Sequence, residues 1–237
     1  MPQHHKGILI TAGTKRLGLR FAQTTIAMGY KAILHYRSSL QPARQWLRRN
    51  PHIADNIFFI RHDLNDSPET VIKKALELPC TLTGLVNNAS IFSPGDCTDV
   101  THLQQMIDIH LVVPTRLGSF FYENIKKGWI INIIDAMIDR PNTTYQNYRM
   151  SKLFLRELTR QQAVRFAPAI RVNGLAPGAM MPAVDNDRST FRSLAKKIPL
   201  KKTSSIKSLM SAYKFLIENR ECTGQIISID GGWNLIA

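Results

Sequence analysis

The chain has 237 residues, of which 44% are hydrophobic and 20% charged, a composition that excludes a disordered or fibrous protein. It lacks the run of about 18 apolar residues that a membrane span needs, and the apolar segment at 7–11 is too short for a signal-peptide core, so we expect a cytoplasmic protein. The formal charge of +14 would attract nucleic acid, anionic lipid or polyanionic metabolites, but a solvated basic surface is the simpler interpretation, and we expect no nucleic-acid or membrane partner.

Short apolar runs alternate with longer stretches of helical period along the whole chain, a pattern typical of repeated βα units on a parallel sheet. We predict a single domain over residues 1–237 with a doubly wound α/β fold and helices on both faces. The seven strands are predicted at residues 7–11, 31–35, 56–61, 84–87, 129–134, 170–175 and 225–229. The helix-poor stretch at 176–189 is expected to be a substrate lid, because ligands of such sheets bind beyond the carboxyl ends of the strands.

The first predicted strand leads into a turn at 11–18 with the sequence TAGTKRLG, followed by an amphipathic stretch at 19–28. Backbone N–H groups and the helix dipole converge at such a junction, so a dinucleotide pyrophosphate would fit there. The glycine spacing is not G-x-G-x-x-G and carries little weight by itself.

The second predicted strand ends at Tyr36-Arg37-Ser38, where an NAD-specific protein would place an acidic residue against the ribose 2′-hydroxyl. Arg37 instead offers a charge-assisted fork to a 2′-phosphate, with Ser38 as a second donor and Arg16 as further positive charge. The pattern predicts NADPH as the cofactor; the alternative is that Arg37 is only a surface cation.

Two further segments follow predicted strands and should face the same cofactor. Asp63-Leu64 follows the third strand and can meet the adenine. The run Asn87-Asn88-Ala89-Ser90 comes at the end of the fourth strand and offers small residues and amides beside the ribose. The three cysteines are far apart and form no Cys-x-x-Cys pair, so we predict neither a disulfide framework nor a metal site.

Tyr148 and Lys152 stand four residues apart in a predicted helix, so their side chains lie on one face and can reach the same ligand. A phenol has an ordinary pKa of about 10 and becomes a better proton donor when a cation stabilises its phenolate. Asp135 directly follows the fifth predicted strand and is a candidate for proton transfer or for holding a protonated nitrogen. The alternative for Asp135 is a capping role in the next segment.

Taken together, these motifs closely resemble the short-chain dehydrogenase/reductase family over essentially the whole chain. The resemblance implies a Rossmann-type fold, a homotetramer, Tyr148 as the catalytic acid, and Lys152 bound to the nicotinamide ribose and lowering the tyrosine pKa. It also places Leu17, Tyr36, Pro177 and Gly178 against the cofactor. The matching segments are the turn at 11–18, Asn87-Asn88-Ala89, Tyr148-x-x-x-Lys152, Arg171-Val172-Asn173, Pro177-Gly178, Thr223-Gly224 and Asp230-Gly231-Gly232.

Within the family, the pteridine reductases and the bacterial dihydromonapterin reductases are most similar to this sequence. They share its first turn, the Tyr-Arg-Ser run after the second strand, Asn-Ala-Ser, and an aspartate at the place of Asp135, where other members have serine. His110 stands where most members have an asparagine that positions water, and the dihydromonapterin branch is similar there. Ala12 replaces the first glycine of the turn. The substrate contacts that the resemblance implies are Arg16, Ser90, Phe92, Asp135 and Tyr148, with Phe92 stacked on a flat heterocycle.

The aspartate also favours a particular chemistry. A ketone reductase needs a hydroxyl beside the carbonyl oxygen, because a carboxylate would repel the developing alkoxide. Reducing a C=N bond instead requires a proton on nitrogen, which Asp135 and Tyr148 can supply or relay. We therefore expect reduction of 7,8-dihydromonapterin or 7,8-dihydrofolate, with hydride to C6 and a proton to N5. Two alternatives stay open: a generic NADPH-dependent carbonyl reductase, and a non-catalytic protein that binds NADPH or nucleic acid.

Overall fold

The computed structural model describes residues 5–180 and 188–236, which contain one sheet of seven parallel strands in the order β3-β2-β1-β4-β5-β6-β7. The doubly wound α/β prediction is confirmed, and the strand bounds shift by at most three residues. β4 shows that largest shift, because it begins at Thr81 instead of residue 84. The strands are β1 (Lys6–Ile10), β2 (Lys31–Tyr36), β3 (Ile57–Arg61), β4 (Thr81–Asn87), β5 (Gly128–Ile133), β6 (Ile170–Pro177) and β7 (Ile226–Ile229).

Helices cover both faces of the sheet because the central strands are apolar on both sides. In β1, Ile8 and Ile10 point into one core and Leu9 into the other, and all three are fully buried. α1, α2 and α8 pack on the first face, and α3, α5 and α6 on the second. The helices are α1 (Arg16–Ala27), α2 (Gln41–Arg49), α3 (Glu69–Leu76), α4 (Val100–Ile107), α5 (Val113–Asn124), α6 (Gln146–Phe166), α7 (Arg188–Lys197) and α8 (Ile206–Glu218).

The strand order reverses at β1, which pairs with β2 on one side and β4 on the other. The connections on the two sides leave toward opposite faces, so a crevice opens at the carboxyl ends of β1 and β4. The turn after β1 and the loops after β4 and β5 border this crevice. These segments carry most of the side chains that the sequence predicts to be functional.

The two helix layers differ in charge. The first 54 residues, which include α1 and α2, contain nine Lys or Arg and no Asp or Glu. Residues 188–217, which include nearly all of α8, contain eight Lys or Arg and again no acidic residue. The opposite layer carries mixed charge, with ion pairs such as Arg116–Glu69 at 2.6 Å. The net positive charge of the protein therefore comes largely from residues 1–54 and 188–217, which include α1, α2, α7 and nearly all of α8.

In the described part of the chain, no helix is long and apolar enough to cross a membrane. The predicted lid is only partly visible: Pro177 ends β6, α7 begins at Arg188, and residues 181–187 lie outside the described residues.

Candidate active site

The turn after β1 has a left-handed backbone at two residues that are not glycine, with φ of 49° at Ala12 and 47° at Arg16. This conformation costs a residue with a Cβ on the order of 1–2 kcal/mol. Ala12 thus adopts a backbone conformation that favours glycine. Gly18 is required for space, because a Cβ there would collide with the Ala12 carbonyl oxygen.

His35, at the end of β2, holds the turn in this conformation. The Ala12 N–H donates to His35 Nδ1 at 3.2 Å, and His35 Nε2–H donates to the His62 carbonyl at 3.0 Å. The ring is therefore the neutral Nε2–H tautomer. Burial lowers the pKa of His35 to about 4, which keeps the acceptor nitrogen free of a proton. No sequence pattern marks His35 for this role.

The cationic groups predicted to hold a 2′-phosphate lie together at this end of the sheet and face solvent. Arg16, Arg37 and Ser38 are exposed, and Arg37 makes only a long 3.9 Å ion pair with Asp63. The Thr14 hydroxyl donates to the Ser39 carbonyl at 2.7 Å and so ties the loop after β2 to the turn after β1. Tyr36 and Leu17 are half-buried in the same region.

The side chain of Leu64 lies inside the protein. Its side chain is 3% exposed and packs in the core between the sheet and α3, so only its backbone can face an adenine. Asp63, which precedes it, is half-buried and lies near Arg37.

Asn88 and Ala89 join the loop after β4 to the turn after β1. Their backbone N–H groups donate to the Thr11 hydroxyl oxygen at 2.8 and 2.9 Å, and the Asn88 amide donates to the Thr11 carbonyl at 2.9 Å. Asn88 and Ala89 therefore fix the loop after β4 against the turn after β1, on the border of the crevice. The next residue, Ser90, has an exposed side chain.

Phe92 stands at the mouth of the crevice, and 56% of its surface is exposed. One face stacks on Tyr145 with ring centroids 4.5 Å apart, and the edge of Tyr148 approaches at 4.8 Å. The loop that carries Phe92 is fastened to α6 by Asn147, whose amide donates to the Asp96 carbonyl at 2.6 Å. The ring is thus held in place beside Tyr148.

Tyr148 and Asp135 meet directly. The Tyr148 hydroxyl donates to Asp135 Oδ2 at 3.0 Å, and the Met137 N–H donates to Asp135 Oδ1 at 2.7 Å. Burial raises the pKa of Asp135 and raises the pKa of Tyr148 well above its ordinary value, with the Asp135 carboxylate adding to the rise at Tyr148. The tyrosine pKa therefore moves opposite to the lowering expected from Lys152, because desolvation and the carboxylate outweigh the ammonium.

Lys152 is 2% exposed and lies on the same face of α6 as Tyr148. Its Nζ donates to the Ile133 carbonyl at 2.8 Å and stands 5.8 Å from the centre of the Tyr148 ring. Burial lowers the pKa of Lys152 to about 8, although the Asp135 carboxylate opposes that shift. Asp135, Tyr148 and Lys152 thus lie close together, where β5 ends and α6 begins.

His110 lies in a π-helical segment, Asp108–Val112, that joins α4 to α5. It is 1% exposed, and its two ring nitrogens contact the hydroxyls of Ser90 at 2.7 Å and Ser151 at 2.8 Å. Burial, with a smaller effect from Lys152, lowers the pKa of His110 well below its ordinary value. The sequence motifs single out this unusual histidine but give no signal that Ser90 and Ser151 contact it.

Pro177 is the last residue of β6, and Gly178 follows it. The Pro177 carbonyl accepts from the Ala136 N–H at 3.1 Å, and a Cβ on Gly178 would stand 2.7 Å from the Cα of Asp230. The Asp230 carboxylate in turn accepts the N–H groups of Gly232 and Asn234. The loops after β6 and β7 are therefore packed together beside Asp135.

Comparisons with known proteins agree with this geometry. A family model described as short chain dehydrogenase matches residues 6–192. Pteridine reductase 1 of Leishmania tarentolae is 27% identical, with 96% of each chain covered, and a dihydromonapterin reductase of Enterobacter sp. (strain 638) is 26% identical, with 95% of each covered. Among solved structures, FolM alternative dihydrofolate reductase 1 from Brucella suis in complex with NADP superposes with a TM-score of 0.91 at 28% identity, covering 98% of this chain and 96% of that one.

Proposed function

This chain belongs to the short-chain dehydrogenase/reductase family of oxidoreductases, and on that basis we propose that it uses NADPH to reduce a 7,8-dihydropterin to the tetrahydro form. The observation that carries the proposal is the hydrogen bond of 3.0 Å between the Tyr148 hydroxyl and Asp135 Oδ2. A carboxylate in contact with the proton donor suits a substrate nitrogen that gains a proton. The same carboxylate would repel the oxygen of a ketone as that oxygen becomes negative.

The residues that border the crevice support binding of a dinucleotide with a 2′-phosphate. Among the described residues, no side chain caps the first turn of α1, so its N–H groups face the turn that Gly18 keeps close. Free helical N–H groups of this kind bind a pyrophosphate. Arg16, Arg37 and Ser38 would hold the 2′-phosphate, with the loop after β2 positioned by the Thr14 hydroxyl.

NADPH would supply the hydride for C6 of the substrate. The side chains of the protein would hold and donate the proton. Tyr148 keeps its proton because its pKa is raised, and Asp135 accepts the hydrogen bond that fixes the direction of the hydroxyl. The Tyr148 hydroxyl would turn from Asp135 to the substrate and donate its proton to N5, which leaves a phenolate on Tyr148. The Lys152 ammonium, on the same face of α6, stabilises the phenolate that remains and would bind the nicotinamide ribose.

The substrate would lie between the cofactor and Phe92. The exposed Phe92 is held by its stacking on Tyr145, so it offers a fixed apolar surface for a flat heterocycle. Pteridine reductase 1 and dihydromonapterin reductases are named for pterin substrates and FolM for dihydrofolate, which supports this substrate class. The pterin ring is common to 7,8-dihydromonapterin and 7,8-dihydrofolate, and we propose both as candidates.

The test is NADPH oxidation by the purified protein with 7,8-dihydromonapterin, 7,8-dihydrofolate and a panel of ketones. We expect turnover of at least one dihydropterin and negligible turnover of the ketones. A comparison of kcat/KM for the two dihydropterins then identifies the preferred substrate. Strong ketone reduction without dihydropterin reduction would replace the proposal with a carbonyl reductase.

A further inference from the structure

A directional chain of hydrogen bonds runs from the backbone of α6 to the mouth of the crevice. It starts at Ser151, whose hydroxyl lies 2.7 Å from the Tyr148 carbonyl oxygen. A carbonyl oxygen can only accept, so the single hydroxyl hydrogen of Ser151 points at it. Ser151 must then accept from His110 Nδ1, which lies 2.8 Å away. The hydrogen of a neutral His110 is therefore on Nδ1.

The far nitrogen of His110 has the opposite polarity. With Nδ1 protonated and the ring neutral, Nε2 carries a lone pair and accepts from the Ser90 hydroxyl at 2.7 Å. The Ile91 carbonyl is another acceptor for Ser90, but it lies farther away at 3.4 Å. The hydroxyl hydrogen of Ser90 is therefore committed to His110. Only oxygen lone pairs remain for a ligand.

We propose that His110 is a positioning residue that makes Ser90 an obligate hydrogen-bond acceptor, so that Ser90 selects a ligand group that donates a hydrogen bond. The exposed side chain of Ser90 lies at the mouth of the crevice, after Ala89. A hydroxyl that was free to rotate would bind donors and acceptors alike. An asparagine amide at position 110 would leave that freedom, because it can present either its oxygen or its nitrogen to the serine.

Two ligand groups have the required chemistry. One is a ribose hydroxyl on the nicotinamide side of the cofactor, and the other is a ring N–H of the dihydropterin. Only the second rests on the proposed function. The two sources are separable, because the cofactor can be titrated without substrate.

Four variants test the proposal: Ser90→Ala removes the acceptor, Ser90→Thr keeps it, His110→Phe removes the group that fixes its polarity, and a double variant combines Ser90→Ala with His110→Phe. NADPH affinity is measured by fluorescence titration, and kcat and KM are measured for 7,8-dihydrofolate. We expect Ser90→Ala and His110→Phe each to weaken one ligand by about three- to tenfold, the range of one neutral hydrogen bond. The double variant should lose no more affinity than the single variant that binds the ligand more weakly. Ser90→Thr should bind the ligand about as tightly as the wild type.

The affected constant identifies the ligand group. A higher Kd for NADPH with unchanged KM assigns the ribose hydroxyl, whereas a higher KM with unchanged Kd and kcat assigns the pterin N–H. Penalties that add in the double variant would show that His110 acts on the fold and not through Ser90, and would overturn the proposal.

Loss of less than twofold in both constants for Ser90→Ala would also overturn it, and this variant keeps the test available if His110→Phe does not fold. If the wild type reduces no dihydropterin, the proposed function fails by itself. The NADPH titration then decides the role of Ser90: a higher Kd supports it, and an unchanged Kd overturns it.

Discussion

The two ends of the crevice are built in different ways. At the end formed by β1 and β2, Arg16 and Arg37 face solvent, and the closest ion pair of Arg37 is 3.9 Å long. At the end formed by β5 and α6, Lys152 and His110 are almost fully buried, and their nitrogens contact partners at 2.7–2.8 Å. The side chains of the second end are held by hydrogen bonds within the protein, whereas the two arginine side chains of the first end face solvent. Loss of the proposed proton donor at the buried end should therefore affect the rate, and loss of a cation at the exposed end should affect the affinity for the cofactor.

The largest effect is expected for Tyr148→Phe, which removes the proton donor but keeps the ring that contacts Phe92 and His110. We expect kcat to fall by roughly 10²–10⁴-fold, the usual contribution of general acid catalysis, with NADPH affinity nearly unchanged. Single-turnover kinetics and a fluorescence titration measure the two quantities. Lys152→Ala is the companion variant and should damage both. A Tyr148→Phe protein that retained most of its rate would require a proton from Asp135 or water.

Asp135→Ser should depress dihydropterin reduction by about an order of magnitude or more, because the carboxylate that accepts from Tyr148 is lost. NADPH binding should stay intact and serves as the internal control. Turnover of small ketones should rise, since the usual serine of the family is restored. Undiminished dihydropterin activity in this variant would exclude the role assigned to Asp135.

At the exposed end, Arg37→Ala should weaken NADPH by about ten- to a hundredfold and NADH much less, because a charge-assisted bond to a 2′-phosphate contributes roughly 1.5–3 kcal/mol. The matched control is Arg49→Ala, an exposed arginine at the opposite end of α2. Titration of the wild type and the two variants with NADPH and with NADH gives the ratio of the two dissociation constants. Equal loss for NADPH and NADH would remove the case for 2′-phosphate recognition.

His35 is buried, although it lies at the exposed end of the crevice. We expect it to make the stability of the fold depend on pH, an effect smaller than those above. Its folded pKa of about 4 lies below the unfolded value of 6.5, so the unfolded chain binds a proton first as the pH falls. The stability is thus complete above pH 6.5 and declines between 6.5 and 4, by about 1–2 kcal/mol between pH 7 and 5. Urea unfolding at the two pH values measures it. His35→Gln should reduce the difference, and an unchanged difference would assign it to other groups, such as His110.

The strands and the spacing of Tyr148 and Lys152 were predictable, because apolar runs and the helical repeat are local properties of the sequence. The position of Asp135 was predictable for the same reason, since it follows an apolar strand directly. The turn at Ala12 was only partly predictable. The sequence shows that a glycine is replaced, but the left-handed backbone becomes visible only in the structure.

The supporting contacts could not be predicted, since they join residues far apart in the chain. His35 contacts a backbone group 23 residues away, and His110 contacts serines 20 and 41 residues away. No periodic pattern encodes such pairs. The burial of the Leu64 side chain in the core beside α3 could not be predicted from its position after a strand, and its contact with an adenine stays a prediction.

The helix layer without acidic residues, formed by α1, α2 and most of α8, affects how a ligand arrives. A molecule that carries several phosphate charges is attracted before it touches the protein, and such steering raises association rates by about 10–10³-fold at low salt. The gain shrinks as the Debye length falls to about 8 Å at physiological ionic strength. Capture of a phosphate-rich cofactor is therefore sensitive to dissolved salt, while the proton chemistry at the buried end is shielded from it.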